Sequence, residues 1–321
     1  MHYRRLGKTG LKISEISLGT WVTMGNQIED DRSLEIMRNA YELGINFFDN
    51  ADIIANGKAE EILNHLIMEV GREGLIISSK VFWPTFPGPN GRGLSRKHIT
   101  ESINASLKRL GTDYVDLYYC HRYDQDTPIE EVVYSMDNLI RQGKILYWGT
   151  SEWKPWQITS AIMTARQHNL IPPAMEQPQY NMFHRRRLET ELYPLHKEFG
   201  VGLTTWSPLY YGVLTGKYAK GIPEGSRAAM ESMAWILDRI TPQRVAIVDQ
   251  LVKLSEELGI TTAQLAIAWL LRRKELSCVI TGATSVDQLK ENIGAAEIMD
   301  KLTENVLDQI DKILNNTPDE G

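Results

Sequence analysis

The alternation of strand and helix patterns is clearest between Val115 and Ser151, in VDLYYCHRYDQDTPIEEVVYSMDNLIRQGKILYWGTS. This stretch contains a strand-like apolar run at Val115–His121, an amphipathic helix pattern at Ile129–Arg141 and a second strand-like run at Leu146–Ser151. Thr127, which precedes Pro128 and this helix pattern, is expected to cap the helix with its hydroxyl, as are Ser95 before Arg96 and Ser285 before Val286. A strand, a helix and a second strand in this order predict two parallel strands joined by a crossover helix.

The same alternation recurs along the whole chain. The strand-like runs are Ile16–Gly19, Asn46–Asp49, Leu75–Val81, Val115–His121, Leu146–Ser151, Ala174–Tyr180, Gly202–Ser207 and Cys278–Gly282. The helix patterns are Ser33–Leu43, Ala59–Met68, Arg96–Leu110, Ile129–Arg141, Pro155–Gln167, Leu188–Phe199, Ala263–Leu271 and Val286–Ala295. No run is followed by the Gly-rich phosphate loop of a doubly wound sheet. These features predict an α/β fold, a (β/α)8 TIM barrel, as one domain over residues 1–321.

Three segments fall outside the eightfold count. Residues 2–13 read as a hairpin that closes the N-terminal mouth of the barrel, and residues 302–313 read as a terminal helix. An insertion from Leu209 to about Arg239 separates the seventh run from its helix. Long loops in compact domains are usually functional or disordered, and on a barrel this one is expected over the C-terminal ends of the strands, where ligands bind.

Composition narrows the functional classes. The net charge of −6 and the pI near 5.7 argue against a surface for nucleic acid or anionic membranes. The first residues lack the apolar core of a signal peptide, and no apolar run approaches the ~20 residues that span a bilayer, so a cytoplasmic protein without membrane insertion is expected. Cys120 and Cys278 are predicted to be buried, inert thiols, and no zinc spacing occurs.

Polar residues end many of the predicted strands, notably Asp49, Lys80 and His121. Ser151, Gln177 and Ser207 occupy comparable positions. Each of the first three also has an ordinary structural explanation. Asp49 could cap a helix or loop, Lys80 could be a solvated strand end, and His121 could be a hydrogen-bonded histidine of the core. Because the C-terminal strand ends of a barrel converge, their joint occurrence favours a functional site.

Together these residue types suit one kind of chemistry. A lysine held against a carboxylate stays charged and stabilises developing oxyanion charge, and a neutral histidine can donate a hydrogen bond to a carbonyl. The combination favours polarisation of a small-molecule carbonyl substrate for hydride attack. The hydride must come from a cofactor, since no side chain supplies one.

The ordered motifs of the chain resemble a known superfamily. They are Gly19-Thr-Trp21, Phe48-Asp-Asn-Ala-Asp52, Ser79-Lys-Val81, Gly93-Leu-Ser-Arg-Lys-His98, Arg109–Leu117, His121-Arg122, Gly149-Thr-Ser151, Glu176–Asn181, Trp206-Ser-Pro-Leu209 and Gly282-Ala-Thr284 with Gln288, Glu291 and Asn292. They resemble the aldo-keto reductases, in the branch that contains voltage-gated potassium channel beta subunits and their bacterial relatives. The resemblance implies an NADPH-dependent oxidoreductase that reduces aldehydes and ketones to alcohols.

The resemblance implies catalytic roles for Asp49, Lys80 and His121. The superfamily's fourth catalytic residue is a tyrosine general acid in a D-x-A-x-x-Y pattern, but here the pattern ends at Ile54. An isoleucine neither donates nor relays a proton, and general acid assistance is typically worth about 10²–10⁴ in rate. A slow reductase is therefore expected.

The resemblance also implies a complete NADP(H) site. The residues that it places around the cofactor are Thr20, Trp21, Gln27, Asp49, Ser151, Glu152, Gln177, Trp206, Ser207, Pro208, Leu209, Tyr210, Tyr211, Lys217, Arg227, Gly282, Ala283, Thr284, Gln288, Glu291 and Asn292. Among them, Arg227 and Thr284 correspond to positions that contact a 2′-phosphate. Charge-assisted hydrogen bonds there favour NADPH over NADH.

Two functions stay open at this point. The first is an NADPH-dependent carbonyl reductase, which the retained Asp49, Lys80 and His121 favour. The second is an NADP(H)-binding regulatory protein, such as a potassium channel beta subunit-like redox sensor. The resembled branch implies a homo-oligomer, with a tetramer as one form, whereas a channel partner has no support from the residues themselves. Five aromatic residues line a pocket or belong to the core: Trp21, Phe82, Trp83, Trp153 and Tyr210.

Overall fold

The computed structural model describes residues 1–21, 24–25 and 27–318. Within these residues, two antiparallel strands form a hairpin and eight parallel strands form a closed barrel. The strands are β1 (Tyr3–Arg5), β2 (Lys12–Ser14), β3 (Ile16–Gly19), β4 (Phe47–Asp49), β5 (Ile76–Val81), β6 (Val115–Cys120), β7 (Ile145–Ser151), β8 (Met175–Gln177), β9 (Gly202–Thr205) and β10 (Leu276–Thr281). The predicted (β/α)8 barrel is confirmed.

The barrel closes by pairing β10 with β3. Thr281 Oγ1 donates a hydrogen bond of 2.9 Å to the carbonyl of Ser17 across this seam. On the opposite side, Gly149 of β7 lies against Met175 of β8, and a Cβ at this glycine would lie 2.3 Å from the Met175 carbonyl oxygen. Glycine at this position therefore allows the two strands to pair.

Helices surround the barrel. They are α1 (Asp30–Glu42), α2 (Lys58–Val70), α3 (Arg96–Leu110), α4 (Ile129–Arg141), α5 (Pro155–Gln167), α6 (Tyr193–Phe199), α7 (Pro242–Glu257), α8 (Thr262–Leu271), α9 (Val286–Gly294) and α10 (Glu304–Leu314). Ser95 and Ser285 cap α3 and α9 by accepting backbone N–H bonds, as predicted. Thr127 does not cap α4: its hydroxyl donates to Asp124 at 2.7 Å instead.

Two helical segments differ from the predictions. Helix α7 was not among the predicted helices, although Thr241 accepts a bond from the Arg244 N–H and Pro242 occupies the first turn. The helix predicted at Leu188–Phe199 divides into a π-helical segment, Arg187–Leu192, followed by α6. The glycines of the insertion, which lies directly before residues 241–242, favour a loop and conceal the start of α7.

The hairpin of β1 and β2 closes the N-terminal end of the barrel, as predicted. Leu6 and Ile13 are fully buried and pack in one cluster with Phe47, Leu117 and Met175 from inside the barrel. The backbone N–H of Lys8 donates to the carbonyl of Gly200 at 2.9 Å. This apolar plug leaves the opposite end of the barrel as the open one.

The insertion covers that open end. It contains 3-10 helical segments at Tyr210–Thr215, Arg227–Ala229 and Glu231–Arg239. Gln27 Nε2, from the loop after β3, donates to the carbonyl of Gly225 at 3.0 Å and joins the two loops. Of the helices in the described residues, none has the length and apolar character to cross a membrane.

Candidate active site

One cavity of about 920 Å³ opens at the C-terminal end of the barrel strands. This volume is at the upper end of the ~300–1,000 Å³ that is usual for ligand sites. Asp49, Lys80, His121 and Ile54 line one part of it, and Lys217, Arg227 and the start of α9 line another. The residues predicted to be catalytic are therefore brought together.

A buried ion pair forms the floor of the cavity. Lys80 Nζ donates to both carboxylate oxygens of Asp49 at 2.8 Å and to the carbonyl of Asn50 at 2.6 Å. Lys80 is 3% exposed and Asp49 is 6% exposed. All three ammonium protons are thus directed at acceptors within the protein.

The Asp49 carboxylate has two further donors. Its Oδ1 accepts from Ser78 Oγ at 2.7 Å and from Gln177 Nε2 at 2.9 Å. Burial lowers the pKa of Lys80, while the charge and hydrogen bonds of Asp49 act in the opposite direction. The floor is therefore rigid, and the lysine in it is more acidic than an ordinary lysine.

His121 is held at the end of β6 as a neutral ring. Its backbone N–H donates to the carbonyl of Val81 at 2.9 Å, and its ring lies edge-on to Trp83, with 6.3 Å between centroids. Burial, and then the charges of Lys80 and Arg122, hold the pKa of His121 well below its usual value. Nδ1 is enclosed without a hydrogen-bond partner among the described residues. A neutral imidazole in this position can donate to a ligand oxygen.

Ile54 occupies the position where the resembled superfamily has its tyrosine. It follows β4 in a 3-10 turn, is 5% exposed and lines the cavity beside the ion pair. It packs in one apolar cluster with Ala51 and Ala59. The cavity surface beside the ion pair is therefore apolar at Ile54, and this side chain has no hydroxyl group.

Most of the residues predicted to bind the cofactor line the same cavity. These are Trp21, Gln27, Asp49, Ser151, Gln177, Trp206, Ser207, Pro208, Leu209, Tyr211, Lys217, Arg227, Gly282, Thr284, Gln288, Glu291 and Asn292. The other four do not line it: Thr20, Glu152, Tyr210 and Ala283. Thr20, for example, is fully buried and donates to Asn50 Oδ1 at 2.9 Å.

Two cations lie at the far end of the cavity. Both line the cavity, Lys217 as an exposed side chain and Arg227 as a half-buried one, and partial burial lowers the pKa of each. The charge of Arg227 lowers the pKa of Lys217 further. Two like charges in a partly desolvated cavity are stabilised by a bound anion. This end therefore fits a phosphate-bearing ligand.

Hydroxyl and amide oxygens also face this region without partners. Ser207 Oγ and Gln27 Oε1 are enclosed and have no hydrogen bond within the described part of the chain. Buried polar atoms are normally paired, so these atoms are suited to a polar ligand. No three His, Cys, Asp or Glu side chains in the described ranges are arranged to hold a metal ion.

Some lining residues were not predicted from the sequence. Arg122 is the most conspicuous, because its guanidinium lines the cavity directly after His121. Of the five aromatic candidates, Trp21 and Trp83 line the cavity, whereas Phe82, Trp153 and Tyr210 are buried outside it. The one available signal for Arg122 was its place at a strand end beside a predicted catalytic residue.

Both cysteines are free and buried, as predicted. Burial raises the pKa of the Cys120 and Cys278 thiols, which keeps them protonated at neutral pH. Neither thiol lines the cavity.

Fold and site together define a barrel protein with an Asp–Lys–His centre at the C-terminal mouth. The chain belongs to the aldo/keto reductase family, whose model matches residues 15–315. It is 50% identical to a probable voltage-gated potassium channel subunit beta of Arabidopsis thaliana, over 99% of this chain and 98% of the relative. It is 46% identical to a protein of the same description from Oryza sativa subsp. japonica, over the same shares of both chains.

Proposed function

We propose that the protein is a slow, NADPH-dependent carbonyl reductase. The supporting observation is that one cavity holds the Asp49–Lys80 pair and His121 at its floor and is also lined by two further cations, Lys217 and Arg227. A dinucleotide has a redox-active ring at one end and phosphates along its length, so its chemistry matches this arrangement. A reduced nicotinamide supplies the hydride when it is bound.

The protein's own residues orient and polarise the carbonyl. The N–H of neutral His121 donates to the carbonyl oxygen, and the positive charge of Lys80 stabilises the negative charge that develops on that oxygen. Asp49 holds the lysine in place through two hydrogen bonds of 2.8 Å. Ser151 and Gln177 line the adjoining region, where they can position the cofactor ring.

Proton delivery is the weak step. The Lys80 protons are committed to Asp49 and Asn50, and Ile54 has no proton to give. The oxygen of the nascent alcohol must then take its proton from His121 or from a water molecule that is hydrogen-bonded to this oxygen. A neutral imidazole is a poor acid, which accounts for the expected low rate.

The proposal is tested by fluorescence titration with NADPH and NADH, followed by single-turnover reduction of a panel of aldehydes. Tight NADPH binding and measurable NADPH oxidation are expected. NADPH binding without oxidation by any aldehyde would favour a second candidate, a nucleotide-binding regulatory protein. Ile54 in the proton-donor position and the similarity to two probable voltage-gated potassium channel beta subunits favour this second candidate.

We also propose that the chain assembles as a homo-oligomer in the cytoplasm, with a tetramer as the form implied by the resembled branch. Light scattering at micromolar concentration tests the assembly. A clean monomer would count against it. A channel partner is proposed only as part of the second candidate function. Co-purification of the protein with a channel would test for this partner.

A further inference from the structure

The guanidinium of Arg122 is a cavity-lining cation that the proposed reaction does not use. Its Nη1 donates to the carbonyl of His121 at 2.5 Å, and its planar group lies 5.7 Å from the centroid of the Trp83 ring. No carboxylate of the described residues lies within 4.0 Å of it. The side chain is half-buried, and burial lowers its pKa.

The nearby acids are already paired with other groups. Glu152 forms an ion pair with Arg187 and accepts from Trp206 Nε1 at 2.9 Å. Glu176 lies 3.5 Å from Arg187 and accepts from Thr150 Oγ1 at 2.5 Å, and burial raises its pKa to about 8, so that it holds its proton at neutral pH. Asp49 is paired with Lys80. Burial lowers the pKa of Arg122 and the charges of Glu152 and Glu176 oppose this from a distance, but within the described residues no carboxylate forms an ion pair with Arg122.

The position of Arg122 is suited to a substrate rather than to the solvent. Trp83, whose ring contacts both His121 and Arg122, contributes apolar lining to the cavity, as does Ile54. The charge of Arg122 also lowers the pKa of both His121 and Lys80, so its field reaches the groups that would face a carbonyl. An anion bound at Arg122 would offset that field and complete the charge balance.

We propose that Arg122 binds the carboxylate of the substrate, so that the cavity takes carbonyl compounds with an apolar body and one carboxylate, such as oxo and formyl acids. This inference rests on the proposed reductase function. A guanidinium presents parallel N–H donors that match a planar carboxylate. One unpaired positive charge balances one carboxylate, whereas a phosphate dianion would leave a negative charge uncompensated in the cavity.

The test compares 4-formylbenzoate with its methyl ester, which has the same ring and aldehyde but no charge. We expect the protein with bound NADPH to reduce the acid with a kcat/KM about 10- to 100-fold higher than that of the ester, the range of a charge-assisted hydrogen bond. Arg122→Gln should abolish this preference through a higher KM for the acid. Arg122→Lys should keep part of it.

Arg92→Gln is the matched control. Arg92 lies 5.4 Å from the centroid of the same Trp83 ring but is exposed and does not line the cavity. This variant should keep the preference for the acid. An unchanged acid-to-ester ratio in Arg122→Gln would overturn the proposal, as would a loss of NADPH affinity that matches the loss of activity. A phosphate-bearing aldehyde preferred over the acid through Arg122 would overturn the choice of carboxylate.

A binding measurement separates this inference from the proposed function. Calorimetric titration of 4-(hydroxymethyl)benzoate into the complex with NADPH measures binding without turnover, because the alcohol and the cofactor are both already reduced. Binding that is lost in Arg122→Gln but retained in Arg92→Gln would support the carboxylate site, even if no aldehyde is reduced. Reduction of acid and ester at equal efficiency, with no Arg122-dependent binding, would overturn the carboxylate site while leaving the reductase function in place.

Discussion

The two ends of the cavity differ in their charges: one holds an ion pair and the other holds two cations. At the floor, the charge of Lys80 is compensated by Asp49 inside the protein. At the far end, Lys217 lies in the field of Arg227, which has the same sign. A compensated pair keeps its geometry whether or not a ligand is bound, whereas paired cations are stabilised when an anion arrives. The floor is therefore suited to chemistry and the far end to binding.

The largest expected effect is at the floor. Ile54→Tyr should raise the single-turnover rate of aldehyde reduction by about 10²–10⁴-fold, because a phenol in the positive field of Lys80 has a lower pKa and can deliver the missing proton. Ile54→Phe supplies the ring without the hydroxyl and should not raise the rate. If Ile54→Tyr binds NADPH but reduces aldehydes no faster, the floor does not work by the family mechanism.

Removal of one member of the floor pair should affect stability. Lys80→Met leaves the buried Asp49 carboxylate without its cation and should lower the free energy of unfolding by about 3–5 kcal/mol. Urea denaturation measures this change. The double variant Asp49→Asn with Lys80→Met removes the unpaired charge and should recover most of the loss. A single variant as stable as the parent would show that the pair is not desolvated.

Removal of one cation at the far end should weaken cofactor binding. Arg227→Ala is expected to weaken NADPH by about 10- to 100-fold, because a charge-assisted hydrogen bond to the 2′-phosphate is lost. NADH, which lacks that phosphate, should be affected far less. Fluorescence titration measures both, and Lys220→Ala, an exposed cation of the same insertion, is the control. Equal weakening of the two cofactors would contradict the assignment.

The smallest expected effect concerns a protonated acid behind the floor. Asp52 is buried and accepts from Ser102 Oγ at 2.6 Å, and burial raises its pKa from 3.8 to about 7. Between these values the unfolded chain ionises Asp52 while the folded protein keeps the proton, so the free energy of unfolding falls as pH rises. Asp52→Asn cannot ionise, and its stability relative to the parent should therefore increase from pH 5 to pH 6 by about 1 kcal/mol.

Denaturation at both pH values measures the Asp52 effect. Asp249→Asn, the same exchange at an exposed position, should show no such pH-dependent difference. If both variants respond to pH alike, burial of Asp52 is not the cause.

The repeating pattern of the chain predicts the barrel well because each strand and helix carries its own local signal. Ser95 and Ser285 cap helices as expected, since a cap depends on neighbours within three residues. Helix α7 was missed because the glycine-rich insertion before it obscured the start at Thr241. The capping role expected of Thr127 was wrong because Asp124, three residues earlier, accepts its hydroxyl proton.

The candidate site was predictable where residues end strands and less so elsewhere. Asp49, Lys80 and His121 meet at the mouth because parallel strands of a barrel end on one side. The unpaired state of Arg122 depends on Glu152 and Glu176 being occupied by Arg187, which lies on a distant segment. Such competition between long-range partners leaves no local pattern in the sequence.

The seam between β3 and β10 has a consequence for synthesis of the chain. Ser17 and Thr281, which bond across it, are 264 residues apart in the sequence. During translation, the edge of β3 that pairs with β10 therefore stays unpaired until nearly the whole barrel has been synthesised. Unpaired strand edges template association with other chains. We expect late barrel closure, and a nascent chain stalled before β10 should depend on chaperone binding to stay soluble.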